Sequence, residues 1–331
     1  MRNTGENSHI IWISWERQRR SILLAQRLGA QLFIINDSRY GILRHPLSAI
    51  KTLIILARKR PATLIVQNPS MFLAMIASLA KAIFDYTLIV DRHSNFMLDA
   101  PDRRSFRYRL FMAMSKFSSR AADLTIVTNR QIARRIQQAG GAPFILPDPF
   151  VRHNKNGREK PVHDVFRIIF PSTWARDEPV METARACEIL GKDFIVYVTG
   201  SPRQNVLDAI GSPPNNFICT GFIPDQRYFE LMGSCQVVMP LTRFPEVLVC
   251  GGYEAMSLGK PLVLGDSIAL REFYPRGALF TDCTPDDIAR KLITARSRYA
   301  VLKRQVKTLY RDRLKQWNRQ FASLQDTMAT L

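Results

Sequence analysis

The sequence predicts an α/β protein built from two doubly wound, Rossmann-like domains, each a parallel sheet covered by helices, with a C-terminal helical segment. Three observations predict this. Short runs that are apolar throughout alternate with helix-length amphipathic segments, and continuous apolarity marks strands buried on both faces. The alternation occurs twice, on either side of a polar stretch without period. A chain of 331 residues, 46% of them hydrophobic, is long enough for two cores.

In the first half the strand-like runs are HIIWISW (9–15), QLFIIND (31–37), TLIVQNP (63–69), YTLIVDRH (86–93), DLTIVTN (123–129) and PFILPDP (143–149). The segments between them read as helices. RQRRSILLAQRLG ends on Gly29 as a helix should. PLSAIKTLIILARKR, SMFLAMIASLAKAIF, a basic segment from Ser105 to Ala121 and RQIARRIQQAG follow. Residues 151–165, VRHNKNGREKPVHDV, are charged and aperiodic and read as an interdomain linker.

The alternation restarts with FRIIFPST (166–173), VMETARACEIL and FIVYVTG (194–200). It continues through FICTGFI, RYFELMGS, CQVVMPLT, GGYEAMSLG, PLVLGD, ALFTDC and DDIARKLITAR. The tail from Arg298 is one long helical pattern with room for a single break. The expected division is 1–150, a linker at 151–165, a second domain at 166–298 and a helical segment at 299–331.

Charge is uneven. The chain carries a net +19, and residues 1–150 hold 22 Lys and Arg against 9 Asp and Glu, a net of +13. A basic half of this size points to a polyanionic partner: nucleic acid, an acidic substrate or an anionic membrane surface. No helix-turn-helix, zinc knuckle or aromatic RNA-binding signature accompanies it, so nucleic acid is not the expected partner. No stretch reaches the roughly 18–20 apolar residues of a membrane span, and the N-terminus lacks a signal-peptide core, so a cytoplasmic location is expected. The five cysteines are odd in number and form no CxxC pair, which argues against a disulfide framework or a zinc site. No G-x-G-x-x-G follows a strand, which argues against a dinucleotide oxidoreductase, and no D-x-D implies a bridging metal.

In doubly wound sheets ligands bind beyond the carboxyl ends of the strands, so two facing domains would form a cleft lined by post-strand residues. In the first half the most polar of these is DRHSNF, with His93 at the strand end; a loop-capping histidine is the plain alternative. In the second half Arg176 in PSTWARDEP has the reach for a diphosphate, and Asp177 and Glu178 read as helix caps. Gly200 in VTG and Gly221-Phe222-Ile223 in TGFIP end two further strands, where glycine permits close approach of a ring. FPEVLVCGGYEAMSLGKPLVLGD (244–266) sets Glu246 and Glu254 eight positions apart around Gly251-Gly252. Backbone amides at a glycine-rich helix start suit phosphate, and flanking carboxylates suit sugar hydroxyls; two helix-capping acids without ligand are the alternative.

The second half resembles the C-terminal domain of GT-B glycosyltransferases of the family 4-like group, of the bacterial polysaccharide or lipid-linked glycan type. The resemblance rests on TGFIPDQRYFELMGSCQVVMPLT, PEVLVCGGYEAMSLGKPLVLGD, LREF and GALF, and covers about residues 165–295. It implies transfer of a sugar from a nucleotide-diphosphate donor, a UDP- or GDP-sugar, with no cofactor. It implies that Glu254 binds the ribose, that Glu246 contacts the donor sugar, that Arg176 binds the diphosphate and that His93 faces the donor sugar. The family's usual Arg and Lys pair after the first strand is reduced here to Arg176, so Gly251, Gly252 or Arg243 must share the diphosphate. SWERQRRS replaces the usual glycine-rich loop after the first strand, and Glu16, Arg19, Arg20 and Ser21 are placed to act on an acceptor there; an ordinary charged helix start is the alternative. The implied acceptor is a glycan or polyprenyl-linked sugar. RRSFRYRLFMAMSKF, which interleaves Arg103, Arg104, Arg107 and Arg109 with Phe106, Phe111 and Met112, is the expected contact with an anionic membrane; a core helix whose basic face is merely solvated is the alternative. A UDP-sugar epimerase of the same fold and a noncatalytic basic binding protein are the alternatives.

Overall fold

The computed structural model of the protein describes residues 9–36, 44–68, 70–93, 104–151 and 165–331. Most of the expected linker, Arg103, Asp37, Pro69, Ser94 and Asn95 lie outside the described residues. Contacts divide the chain into two compact units: one takes the residues up to Pro149 together with Trp317–Leu331, and the other is Phe150–Gln316.

The first unit holds six parallel strands: β1 (Ile10–Ser14), β2 (Gln31–Ile34), β3 (Thr63–Gln67), β4 (Thr87–Arg92), β5 (Leu124–Val127) and β6 (Pro143–Ile145). Their order is β2-β1-β3-β4-β5-β6, so the winding reverses between β1 and β3. The connecting helices are α1 (Arg19–Leu28), α2 (Arg44–Lys59), α3 (Met71–Phe84), α4 (Phe106–Ala121) and α5 (Arg130–Gln138). Local chemistry sets their ends. Ser70, Ser105 and Asn129 each accept the N–H of the third residue beyond, and Gly29 takes the left-handed conformation that closes α1. Ile11, Ile13, Leu64, Val66, Leu88 and Val90, all fully or nearly buried, form the core on one side of the sheet.

The second unit repeats the plan with β7 (Phe166–Phe170), β8 (Phe194–Thr199), β9 (Phe217–Gly221), β10 (Val237–Val238), β11 (Leu262–Gly265) and β12 (Ala278–Thr281). The order is β12-β11-β10-β7-β8-β9, with the reversal between β7 and β10. Its helices are α6 (Val180–Leu190), α7 (Gln204–Ile210), α8 (Asp225–Ser234), α9 (Cys250–Leu258), α10 (Ile268–Phe273) and α11 (Pro285–Ser297). CQVVMPLT pairs as a strand over only two residues. Pro240 has no N–H to give the ladder, so the chain leaves the sheet there and carries Thr242 and Arg243 away from it.

The tail is a single unbroken helix, α12 (Tyr299–Thr330). Its residues from Trp317 onward belong to the first unit. There Trp317 is buried, its indole N–H donates to the Pro147 carbonyl at 2.9 Å, and the Arg27 guanidinium lies 4.6 Å above the ring. Among the described residues, no helix is long and apolar enough to cross a membrane.

Candidate functional site

In a doubly wound sheet the loops at the winding reversal splay apart and leave a crevice. In the second unit that crevice lies between the carboxyl ends of β7 and β10. Two loops bound it, residues 171–179 and residues 239–249, and they are tied to each other. The backbone N–H of Arg243 donates to the Asp177 carbonyl at 2.9 Å, and the Thr242 hydroxyl donates to Asp177 Oδ2 at 2.5 Å.

Glu178 fastens the first loop to itself. Its carboxylate accepts from the Ser172 hydroxyl at 2.7 Å, from the N–H of Thr173 at 2.9 Å and from the N–H of Ala175 at 3.0 Å. The sequence reading of Asp177 and Glu178 as caps of α6 is corrected by these bonds. The helix begins at Val180 with Pro179 at its N-cap and no side-chain cap, while both acids order the loop ahead of it. A carboxylate surrounded by backbone donors holds a loop rigidly, because ionic acceptors make roughly twice as strong a bond as neutral ones.

The loop carries further signs of constraint. Trp174 sits at φ 60°, a left-handed conformation uncommon outside glycine, and its buried indole N–H donates to the Thr199 carbonyl at 3.0 Å. Gly200, at the end of β8, has φ 84°, and a Cβ there would lie 2.2 Å from the Ser172 carbonyl oxygen. Only glycine lets the strand end and the loop approach this closely. Arg176 is exposed on the turn at the tip of the loop.

Gly251 and Gly252 fall in the first turn of α9, whose N-cap, Val249, makes no side-chain cap bond. Packing demands glycine at 252 and crowds any larger residue at 251. A Cβ on Gly251 would stand 3.0–3.1 Å from Pro240 and Pro171, one from each loop, and a Cβ on Gly252 would meet the buried Tyr274 hydroxyl at 2.3 Å. The helix start is thereby drawn against the crevice. The Gly252 N–H closes a turn onto the Val249 carbonyl at 3.0 Å.

Glu254 stands one turn deeper than the helix start, and the Tyr228 hydroxyl of α8 donates to its Oε2 at 2.6 Å. Ile223 is half-buried just ahead of α8. Glu246 is half-buried in the turn between β10 and α9. Arg243 is paired with Glu182 of α6 at 2.7 Å. Lys260, in the GKPLV passage after α9, is buried and donates to the carbonyls of Gly233 and Cys235, both at 2.6 Å, which satisfies the C-terminal end of α8.

In the first unit His93 follows β4. Its Nδ1 lies 3.3 Å from Asp91 Oδ2, within ion-pair reach though off the line of a hydrogen bond. Asp91 is fully buried and receives the Arg20 guanidinium on both oxygens, at 2.8–3.1 Å. Arg20 also donates to Asp148 at 2.6 Å and to the Leu146 carbonyl at 3.0 Å. Burial alone would raise the Asp91 carboxyl, but Arg20 and then His93 outweigh it and hold it at about 2. Burial likewise works against the Arg20 charge, and the two carboxylates reverse that and raise its pKa above the ordinary arginine value. Arg20 and Ser21, expected toward an acceptor, are both buried. The helix α1 therefore begins by anchoring β4, and the buried Arg20–Asp91 pair ends at the histidine that the sequence singled out.

The second unit thus gathers Arg176, Gly200, Arg243, Gly251, Gly252 and Glu246 around the β7/β10 reversal, with Glu254 and Ile223 joined through α8 and α9. His93 belongs to the first unit. Tyr228 and the Asp91 and Asp148 partners of Arg20 were not singled out in the sequence, and Glu178 and Arg20 were given other roles there. Glu254 and Tyr228 are 26 positions apart and Arg20 and Asp91 are 71 apart, with no periodicity linking them.

No protein-family model matches the chain, and no curated protein matches its sequence. Solved structures do. HepE from Anabaena, in complex with UDP and glucose, aligns over 98% of this chain and 100% of its own at a TM-score of 0.72 and 15% identity. Sucrose-phosphate synthase from Thermosynechococcus elongatus aligns over 98% and 99% at a TM-score of 0.76 and 13% identity. A UDP-N-acetylglucosamine 2-epimerase from Listeria monocytogenes aligns over 98% of both chains at a TM-score of 0.64 and 12% identity. The two six-stranded parallel sheets with their helices are the GT-B architecture. At these identities the likeness is one of fold, and neighbours with that fold include nucleotide-sugar glycosyltransferases.

Proposed function

We propose that the protein is a glycosyltransferase that moves a sugar from a UDP- or GDP-sugar to a glycan or polyprenyl-linked acceptor in cell-surface polysaccharide assembly, with retention of anomeric configuration. The observation that carries this reading is the crevice at the β7/β10 reversal, bounded by two mutually tied loops and the glycine-rich start of α9. The UDP and glucose bound by the HepE neighbour support a nucleotide-sugar donor.

In this reading the diphosphate meets the start of α9 and Arg176, which act as fixed positive charge for the leaving group as the glycosidic bond breaks. Arg243 shares that task, oriented by Glu182. Glu254, with one carboxylate oxygen fixed by Tyr228, accepts from the ribose hydroxyls, and Ile223 and Gly200 border the base. Glu246 holds the donor sugar. His93 acts in turnover, with its Nδ1 beside the buried Asp91 carboxylate. No cofactor or metal is required by these roles. The basic first unit is read as lying on the inner, anionic face of a plasma membrane, where a polyprenyl-linked acceptor would be presented.

A thermal-shift series with UDP, GDP, ADP and CMP tests the donor reading. UDP or GDP should raise the melting temperature, and Glu254→Ala should weaken that response by about tenfold in affinity, the worth of one charge-assisted hydrogen bond. Unchanged affinity in Glu254→Ala removes its ribose role, and no response to any nucleotide favours the noncatalytic alternative. NMR of the product anomer decides retention.

A further inference from the structure

Helices at a protein's surface ordinarily bury their apolar stripe and turn polar residues to water. Three adjacent helices of the first unit turn bulky hydrocarbon to water instead. Their inner sides bury small and hydroxyl side chains beside a few apolar ones: Ser48, Thr52 and Leu56 on α2, Ser78 among Leu73, Ala74 and Ala77 on α3, and Ser115, Ser118 and Ser119 beside Met114 on α4. Their outward sides carry bulky hydrocarbon. On α2 it is Ile50, Leu53 and Ile54; on α3, Phe72, Leu79 and Ile83; on α4, Phe106, Leu110 and Phe117. The spacings of three, four, seven and eleven residues make each set one stripe of its helix. Phe106 is 80% exposed and Ile83 77%. Nine of the seventeen large hydrophobic residues exposed among the described residues lie on these three helices.

The stripes belong to one layer. The connections β2 to β3, β3 to β4 and β4 to β5 all step the same way across the sheet, so right-handed crossovers put α2, α3 and α4 on the same face. Packing of α2 on α3 and of α3 on α4 sets them side by side. The charge on this layer has one sign. The three helices carry nine Lys and Arg and no Asp or Glu. Lys51, Arg58 and Lys59 of α2 and Arg107, Arg109, Lys116 and Arg120 of α4 are exposed.

We propose that the outer face of α2, α3 and α4 is a membrane-docking surface that inserts its three apolar stripes among the acyl chains of an anionic leaflet while the cations engage the headgroups. Exposed apolar side chains on helices whose own charges are all cations are the pattern of interfacial binding, with Asp85 at the end of α3 an exposed acid beside them. A second copy of this chain is disfavoured as the occupant. A two-fold interface places the same surface on both sides, so two all-cationic faces would repel. The proposal deepens the membrane-associated reading given above, extending it from α4 to three helices, and vesicle binding is measured without sugar transfer.

The test is co-sedimentation of the full chain with vesicles of phosphatidylcholine alone, or with about one-third phosphatidylglycerol, at salt from about 50 to about 500 mM. Binding should require the anionic lipid and weaken at least about tenfold across the salt range. Ile50→Gln/Ile54→Gln on α2 and Leu79→Gln/Ile83→Gln on α3 should each weaken binding at least about tenfold, because each removes two inserted side chains. All four sites are exposed and lie outside the nucleotide crevice, so the melting temperature and its response to UDP should be unchanged. That response also separates this proposal from the donor reading, since either can fail while the other stands. Binding to neutral and anionic vesicles alike, binding to neither, or anionic binding that the α2 and α3 variants leave intact would overturn the three-helix face. So would a concentration-dependent dimer in analytical ultracentrifugation that those variants dissociate.

Discussion

Replacing Arg20 with Met should turn the pH dependence of stability upside down. In the wild-type protein Asp91 is fully buried and held at about 2 against an ordinary 3.8. At 1.36 kcal/mol per pH unit the depressed carboxyl contributes about 2.5 kcal/mol. A carboxyl with a lowered folded-state pKa gives that contribution in full above its unfolded value and loses it as pH falls from about 3.8 toward 2. The wild type should therefore be insensitive to Asp91 between pH 8 and 5. Met fills the guanidinium's stem but leaves a buried carboxylate without its cation, and removing one partner of a buried pair costs about 3–5 kcal/mol. The uncompensated carboxyl then prefers its proton in the folded state. Its pKa rises above the unfolded value, so the folded chain binds more protons and stability increases as pH falls. Urea titrations of both proteins at pH 8, 7, 6 and 5 read this directly, with the gap between them narrowing toward pH 5. Asp91→Asn in the Arg20→Met background should recover about 1–2 kcal/mol at pH 8, since the buried charge is then gone. A loss under about 1 kcal/mol that is the same at pH 5 and pH 8 would refute the reasoning and make Arg20 an ordinary packing residue.

Glu178→Ala should cost about 2–3 kcal/mol in chemical denaturation and weaken nucleotide binding in calorimetry, since it releases the donors of Ser172, Thr173 and Ala175 together. Gly252→Ala should lower stability by about 2 kcal/mol, because its methyl would sit 2.3 Å from the Tyr274 hydroxyl inside a closed core; Tyr274→Phe in the same chain should recover part of that loss. Gly200→Ala meets both a positive φ and the Ser172 carbonyl, so a cost of about 3 kcal/mol or more in urea titration is expected. Tyr228→Phe keeps the ring and frees Glu254 from one donor; nucleotide affinity should fall by less than in Glu254→Ala, and equal losses would mean that Tyr228 itself touches the nucleotide.

The sheets were legible in the sequence because parallel strands are buried on both faces, so TLIVQ and YTLIVDR show as unbroken apolar runs. CQVVMPLT also reads as a strand, yet Pro240 cuts it to two residues, a local event that hydrophobicity does not register. Glu246, Glu254 and the glycine pair were found because they lie within one short passage. What stayed hidden depends on how the chain turns locally or on distant segments folding together. Glu178 looks like a cap from its place ahead of α6, and only the turn of the chain at 172–175 back onto its carboxylate shows that it closes a loop. Arg20 looks like one more charge at a helix start until β4 places Asp91 beneath it. The outward stripes of α2, α3 and α4 are hidden for another reason: apolar residues fall on more than one side of these helices, and which of them meet the sheet is settled by the fold.

The passage of α12 from one unit into the other bears on biosynthesis. A chain made from its N-terminus has all six strands of the first sheet outside the ribosome when little more than its first half has been translated. Yet Trp317 and Leu324, both buried in the folded protein, are added only after every residue of the second unit. The unit whose strands are synthesised first is thus completed only after the other unit has been made, and until then the Pro147 carbonyl and the Arg27 guanidinium wait for a tryptophan not yet added. A nascent chain that stalls or stops near residue 316 would have a second unit with all its residues and a first unit without its closing helix, with core surface open to chaperones and proteases.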